Sequence, residues 1–213
     1  AIVNAITFFP WADADAAIQA AGLAQATREM ALLAELGCVA VAAPPYGNVA
    51  DTTLDAMASA FARLHTAAQQ TGIDVYLEFW GRAPRLSRLS EALYIAVESG
   101  VADAKLLLDP FHMYTGGSTL QSTGYLNGAN IGIVHVNDYP AQPMRAQIAD
   151  RDRVFPGEGI APTHDLARQL HQARYDGYLS LELFMETYGG ASALEVAQRG
   201  RAAMERAYTL DGV

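Results

Sequence analysis

A repeated pattern of a helical segment, a glycine and a short apolar run limits the possible folds more than any other feature. Helical-looking segments end at Gly37, Gly72, Gly100 and Gly177, and an apolar run follows each of them. A glycine just past a helix supplies the left-handed residue that closes it. Helix, glycine and strand repeated every ~30 residues is typical of consecutive βα units and a parallel sheet. The sequence therefore predicts an α/β fold.

Six strands and five helices can be placed along the chain. The predicted strands cover residues 2–8, 38–43, 74–79, 104–109, 131–137 and 178–183. The predicted helices cover residues 19–36, 52–71, 87–99, 163–175 and 191–208. Glycine, proline and small polar residues predict long loops at 113–130 and 138–162, after the fourth and fifth strands. Loops of that length inside a compact domain are usually functional.

The number of strands points to part of a TIM barrel. Such a barrel has eight βα units in typically ~250 residues, so six units in 213 residues are two short. Either two βα units are missing from this chain, or the sheet is an open arc of six strands. The first explanation is favoured, because an open parallel sheet leaves two unpaired edges and an uncovered interior. We expect a single partial barrel domain over residues 1–213.

Composition narrows the range of partners and the compartment. A net charge of −9 argues against a nucleic-acid surface, which needs a clustered basic face. No window approaches the ~18 uninterrupted apolar residues of a membrane span. The single cysteine, Cys38, excludes an internal disulfide, and the first residues resemble a strand and not a signal peptide. We expect a cytoplasmic protein that binds neither nucleic acid nor membrane; a homo-oligomer remains open.

Four of the predicted strands end in a side chain that can bind a metal ion. These side chains are Glu78, Asp109, His135 and Glu182. The carboxyl ends of parallel strands meet at one mouth of a barrel, where TIM-barrel active sites lie. Three carboxylates and one imidazole suit one divalent ion such as Mn²⁺, Mg²⁺, Co²⁺ or Zn²⁺. A lone Glu or His after a strand is more often a cap or a satisfied polar group, so the hypothesis depends on the four together.

Residues that flank these ligands are further candidates. Asp138 could orient an imidazole or a loop, with an ordinary loop cap as an equal alternative. Arg153, just before a Pro-Gly turn, could hold a substrate oxygen, and the alternative is a solvated charge. Aromatic residues at strand ends could form a pocket wall, although core or rim packing is at least as common. These residues are Phe8, Phe9, Trp11, Trp80 and Phe111.

Four motifs carry a family resemblance. They are Leu108-Asp-Pro-Phe-His112, Val134-His-Val-Asn-Asp138, Asp152-Arg-Val-Phe-Pro-Gly-Glu-Gly159 and Ser180-Leu-Glu-Leu-Phe184. Together they resemble the xylose-isomerase-like TIM-barrel superfamily, nearest to its sugar phosphate isomerase/epimerase group and, within it, to the inosose isomerases. The resemblance runs from residue 1 to about 208 and makes the six strands equivalent to strands three to eight of that barrel.

The resemblance also implies roles for individual residues. The four strand-end residues match the metal ligands of the family, and His112 and Arg153 match positions that contact the substrate. It implies a metal-dependent isomerase or epimerase of a small polyhydroxy carbonyl compound, a keto-sugar or an inosose. Such an enzyme transfers a proton through a metal-stabilised ene-diolate, and Glu78 and Glu182 are the candidates for the transfer.

Three other functions remain open from the sequence. A dehydratase, which is a lyase, could use the same scaffold. A barrel that binds a metal ion or ligand without turnover is the second alternative. The third is an endonuclease IV-like DNA repair enzyme, which needs additional histidines and a basic surface; five histidines and a net charge of −9 argue against it.

Overall fold

A computed structural model describes residues 1–210 and confirms the α/β prediction. The six strands are β1 (Ala5–Ile6), β2 (Ala40–Ala43), β3 (Asp74–Glu78), β4 (Lys105–Leu108), β5 (Ile131–Val136) and β6 (Tyr178–Leu181). The six helices are α1 (Ala16–Glu35), α2 (Leu54–Thr71), α3 (Leu89–Glu98), α4 (Pro110–Gly116), α5 (Thr163–Gln172) and α6 (Ala193–Tyr208). Short 3-10 turns lie at Leu120–Tyr125, Gly128–Asn130 and Asp150–Asp152.

The strands form one parallel sheet in the order of the chain, from β1 to β6. This is the order that consecutive βα units of a TIM barrel produce. Within residues 1–210, β1 and β6 are not paired with each other, so the sheet is open. All six carboxyl strand ends therefore lie at one edge of the sheet, where the predicted ligands are.

Both faces of the sheet are covered by apolar side chains. One face packs against the helices in a large core that includes Val41, Leu77 and Leu108. The other face carries a smaller cluster of Ala40, Ala42, Tyr76, Leu107 and Ile133. Alternate strand residues point to opposite faces, and since most residues of strands β2 to β5 are buried, these strands appear in the sequence as unbroken apolar runs.

The main error of the sequence prediction is helix α4, which lies partly in the stretch 113–130 that was predicted as a loop. Asp109 leaves strand β4 in an extended conformation and caps α4, with Pro110 at the first helical position. Proline suits that position because its missing N–H has no helical partner there. The loop predicted at 138–162 contains the 3-10 turn at Asp150–Asp152 and an isolated antiparallel bridge between Asp138 and Val154, but no helix or longer strand.

Three of the four predicted helix-closing glycines are confirmed. Gly37, Gly72 and Gly100 have φ values of 72°, 75° and 70°, in the left-handed region. The prediction for Gly177 is wrong: the left-handed residue after helix α5 is Arg174, with φ 58°. Helix α5 ends earlier than predicted, so the chain turns before it reaches the glycine.

Cys38 is a free, buried cysteine, and it forms an isolated parallel bridge with Ile2 in place of the longer first strand that was predicted. Within residues 1–210, helix length and apolarity nowhere reach what a crossing of a bilayer needs.

Candidate metal centre and adjoining cavity

Three of the four predicted ligands lie close together. One ligand atom each from Asp109, His135 and Glu182 falls within 4.8 Å of the other two. His135 Nδ1 is 3.2 Å from Glu182 Oε2 and 3.9 Å from Asp109 Oδ2. Asp109 and Glu182 directly follow strands β4 and β6, and His135 is the second-last residue of β5, so the sheet order itself brings them together. We refer to them as the triad.

The two oxygens of Asp109 have different surroundings. Oδ1 accepts hydrogen bonds from the N–H groups of Phe111 at 2.7 Å and His112 at 3.1 Å, which caps helix α4. Oδ2 faces His135 and accepts a hydrogen bond from Arg153 at 3.0 Å. Burial by itself would raise the pKa of Asp109, but Arg153, His112 and His135 lower it below its usual range. Asp109 is therefore an ionised carboxylate with Oδ2 directed at the triad.

Arg153 reaches the triad from the loop between β5 and α5. Its side chain is fully buried, and Nη1 donates to Glu182 Oε2 at 2.6 Å as well as to Asp109. Nη2 donates to Asp150 Oδ1 at 2.6 Å. The guanidinium carbon lies 4.6 Å from the ring centre of Phe111 and 5.1 Å from that of Phe184. The sequence alternative of a solvated charge is therefore wrong.

Glu78 lies at the end of β3 and is buried, but it does not belong to the triad. Among residues 1–210, its Oε2 finds no hydrogen-bond partner. Burial raises the pKa of Glu78 to about 8; His135 opposes the rise, and the carboxylates of Glu182 and Asp109 add to it. The role of Glu78 as a fourth metal ligand stays a prediction.

The donor set fits a divalent ion. His135 Nδ1 is buried, makes no well-aligned hydrogen bond, and still lies 3.2 Å from a carboxylate oxygen. Two such atoms repel each other unless a proton or a metal ion lies between them. Burial lowers the pKa of His135, but the adjacent carboxylate of Glu182 and the charge of Asp109 raise it by more, so that the net shift is upward. A carboxylate pair with an imidazole is a common set for Zn²⁺ or Mn²⁺.

A cavity of about 640 Å³ adjoins the triad. Its polar lining includes the two glutamates and the two residues predicted to contact the substrate, and its apolar lining includes four aromatic residues. These residues are Glu78, Glu182, His112, Arg153, Phe8, Trp80, Phe111 and Phe184. Phe9 and Trp11 belong to the core instead, each 1 % exposed.

His112 is buried beside Arg153. Its Nε2 lies 3.4 Å from Arg153 Nη2, and its Nδ1 accepts a long hydrogen bond of 3.4 Å from the Gly81 N–H. Burial lowers the pKa of His112, although Asp109 acts in the opposite direction. His112 thus lies on the cavity wall with a lowered pKa.

Asp138 organises the loop that carries Arg153. Its carboxylate accepts hydrogen bonds from the N–H groups of Tyr139 at 2.7 Å, Gly157 at 3.0 Å and Ala161 at 2.8 Å. The backbone of Asp138 also pairs with Val154 through two hydrogen bonds of 2.9 Å. Among the roles predicted for Asp138, these contacts agree with that of a residue that orients a loop.

Asn137 and Asp150 also contact the site and were not predicted from the sequence. Asn137 is fully buried, and its Nδ2 donates to both oxygens of Asp109 at 3.2 Å. It follows His135 by two residues, so the strand alternation places both on one side, a signal that was available in the sequence. Asp150 lies three residues before Arg153 in a 3-10 turn, and no periodic pattern marks it.

A sequence profile of the xylose isomerase-like TIM barrel matches residues 2–207. The chain belongs to this family. Its relatives include the inosose isomerase of Bacillus subtilis, 30 % identical over 139 residues, which are 65 % of this chain and 50 % of that protein. The 3-dehydro-D-guloside 4-epimerase of Escherichia coli is 27 % identical over 176 residues, which are 76 % of this chain and 63 % of that protein. The chain spans about half the length of the inosose isomerases it matches.

Solved structures show the same fold. The IOLI protein, crystallised with a zinc atom, superimposes with a TM-score of 0.84 at 24 % identity, covering 96 % of this chain and 74 % of that one. The 3-keto-D-glucoside 4-epimerase YcjR of E. coli gives a TM-score of 0.72 at 24 % identity, covering 98 % and 79 %. The predicted membership and the α/β barrel fold are thus confirmed.

Proposed function

We propose that this protein is a metal-dependent isomerase or epimerase of a small polyhydroxy carbonyl compound, a keto-sugar or an inosose. The observation that carries the proposal is the convergence of Asp109, His135 and Glu182 beside a cavity of about 640 Å³. Relatives named inosose isomerase and 3-dehydro-D-guloside 4-epimerase support this choice of substrate class.

The triad would hold one divalent ion, with Glu78 as the proposed fourth ligand. Mn²⁺, Mg²⁺, Co²⁺ and Zn²⁺ all accept carboxylate and imidazole ligands, and the zinc atom in the IOLI protein makes Zn²⁺ one of the ions to test. When bound, the ion supplies Lewis acidity that draws charge from a substrate carbonyl.

Two carboxylates on the cavity wall can move the proton. Glu182 Oε2 is engaged by Arg153 at 2.6 Å, which leaves Oε1 to take a proton from the carbon next to the carbonyl. Glu78 Oε2 has no partner and is the atom from which a proton can return. Return to the opposite face of the same carbon gives epimerisation, and delivery to the neighbouring carbon gives isomerisation.

The other lining residues would bind and orient the substrate. Arg153 and His112 offer N–H groups to substrate oxygens, while Trp80 and Phe111 pack against its apolar surface and exclude water. The substrate-binding roles of these four residues are predictions, as are a cytoplasmic location and homo-oligomer formation.

Deuterium incorporation tests the proposal. The protein is incubated with Mn²⁺ and a panel of keto-sugars and inososes in D₂O, and the products are analysed by NMR and mass spectrometry. We expect deuterium at the carbon next to the carbonyl and a product isomeric with the substrate. Glu182→Gln should abolish turnover, because the amide cannot accept the proton. Glu186→Gln, an exposed neighbour, is the control and should stay active.

Three results would contradict the proposal. An active Glu182→Gln variant removes Glu182 from the reaction. A product lighter by one water identifies a dehydratase instead. A protein that binds metal and sugar without exchange or turnover is a binding barrel.

A further inference from the structure

One nitrogen of Arg153 is shared between two oxygens of the triad. Nη1 lies 2.6 Å from Glu182 Oε2 and 3.0 Å from Asp109 Oδ2. It carries two hydrogen atoms, one for each oxygen. The arginine side chain is 0 % exposed, so no water competes for these hydrogen bonds.

The same two oxygens are those that lie nearest His135 Nδ1, at 3.2 and 3.9 Å. A divalent ion bound to His135 Nδ1 and to these two oxygens would share both of them with the guanidinium. Like charges a few ångströms apart repel strongly where water is excluded. The presence of the guanidinium therefore weakens binding of the ion to the two carboxylates, and the ion weakens the hydrogen bonds of the guanidinium.

The guanidinium has a second set of contacts that does not involve the triad. Nη2 donates to Asp150 Oδ1 at 2.6 Å, and the rings of Phe111 and Phe184 flank the group. Asp150 is half exposed, with 52 % of its side-chain surface accessible, and it contacts Nη2, whereas the triad oxygens contact Nη1. Because these contacts remain when Nη1 leaves the triad, the arginine can shift within the cavity without losing every partner.

We propose that Arg153 competes with the divalent metal ion for Asp109 Oδ2 and Glu182 Oε2, and that Asp150 weakens this competition by offering the guanidinium another carboxylate. The inference rests on the proposed function in taking the triad as the metal site. Its consequence is a coupling of the two ligands: a bound ion turns Nη1 towards the cavity, where it can donate to a substrate oxygen. Metal and substrate then strengthen each other's binding.

Metal affinity provides the test, independent of catalysis. Chelator-treated protein is titrated with Co²⁺, and binding is followed by calorimetry and by the visible absorption of the ion. We expect Arg153→Gln to bind Co²⁺ roughly tenfold more tightly or better, which is about 1.4 kcal/mol or more. The control is Arg151→Gln, which removes the same charge two residues earlier in the chain. The Arg151 side chain is 66 % exposed, so this variant should bind Co²⁺ like the wild type.

Asp150→Asn completes a double-mutant cycle. Alone it should weaken Co²⁺ binding, because the guanidinium then has only the triad carboxylates as charged partners. In the Arg153→Gln background the same change should have a much smaller effect, since the competing cation is gone. Arg153→Met, which keeps apolar contact with the two rings, repeats the measurement in case the glutamine disturbs folding.

The outcomes separate this inference from the proposed function. Unchanged or weaker Co²⁺ binding by both Arg153 variants would overturn the inference, because Arg153 would then position the carboxylates for the ion. If Asp150→Asn changed Co²⁺ affinity equally in the wild-type and Arg153→Gln backgrounds, Asp150 would have no part in the competition between Arg153 and the ion. A wild type that binds Co²⁺ but catalyses no exchange contradicts only the proposed function, and wild type and variants that all bind no Co²⁺ contradict both.

Discussion

Replacing Glu78 by glutamine should change how the stability of the protein depends on pH. Glu78 is 2 % exposed, and burial together with Glu182 and Asp109, against the effect of His135, raises its pKa from 4.5 to about 8. The folded protein therefore keeps a proton on Glu78 that the unfolded chain releases above pH 4.5. Because the unfolded state binds fewer protons over this range, the free energy of unfolding falls as the pH rises from about 4.5 to about 8.

The two pKa values set the size of the effect. At about 1.4 kcal/mol for each pH unit, the rise from 4.5 to about 8 amounts to about 5 kcal/mol when Glu78 is fully ionised. Between pH 5 and pH 8 the contribution is about 3 to 4 kcal/mol, because ionisation in the folded state is half complete at pH 8. Glutamine does not titrate, so the Glu78→Gln variant lacks this contribution.

Urea unfolding at pH 5, 6, 7 and 8 in the presence of a chelator measures the difference. The stability of Glu78→Gln relative to the wild type should increase by about 3 to 4 kcal/mol from pH 5 to pH 8. Glu186→Gln, whose side chain is 76 % exposed, is the matched control and should follow the wild type at every pH. Parallel pH profiles for the wild type and Glu78→Gln would refute the reasoning, because burial would then not hold the proton on Glu78.

Two further substitutions test the scaffold around the site. Asp138→Ala removes the acceptor of three backbone N–H groups and should destabilise the protein by about 3 kcal/mol in urea unfolding, whereas Asp165→Ala, on an exposed side chain, should change it by less than about 1 kcal/mol. Gly132→Ala places a Cβ against the ring of Tyr76, on the sheet face that carries the smaller apolar cluster. It should lower the thermal midpoint and reduce the free energy of unfolding by about 1 to 3 kcal/mol. Gly124→Ala, which meets nothing within 4 Å, is its control; equal midpoints would show that this face accommodates the methyl group.

The sequence predicted the sheet and most of the helices because their signals are local. Gly37, Gly72 and Gly100 close helices in the left-handed conformation, and apolar runs follow them. The strand ends then carry the candidate ligands to one edge through topology alone, without knowledge of side-chain geometry. This is why Asp109 and Glu182 could be predicted to meet although 73 positions separate their numbers in the sequence.

Helix α4 and the contacts of Arg153 could not be predicted in the same way. Helix α4 has seven residues, too few to show a helical period, and its formation depends on the carboxylate of Asp109 as N-cap. Arg153 reaches the triad only because Asp138 holds residues on both sides of it through Gly157 and Tyr139. Such contacts between distant loop residues leave no period in the sequence.

The divided use of the Asp109 carboxylate links the cavity to any ion that the triad binds. One oxygen accepts hydrogen bonds from the N–H groups of Phe111 and His112 and so caps helix α4, and the other oxygen faces His135. An ion bound to the second oxygen would also restrain the Asp109 side chain, which caps this short helix. An ion bound there would therefore also stabilise residues 110–116, which contribute Phe111 and His112 to the cavity wall.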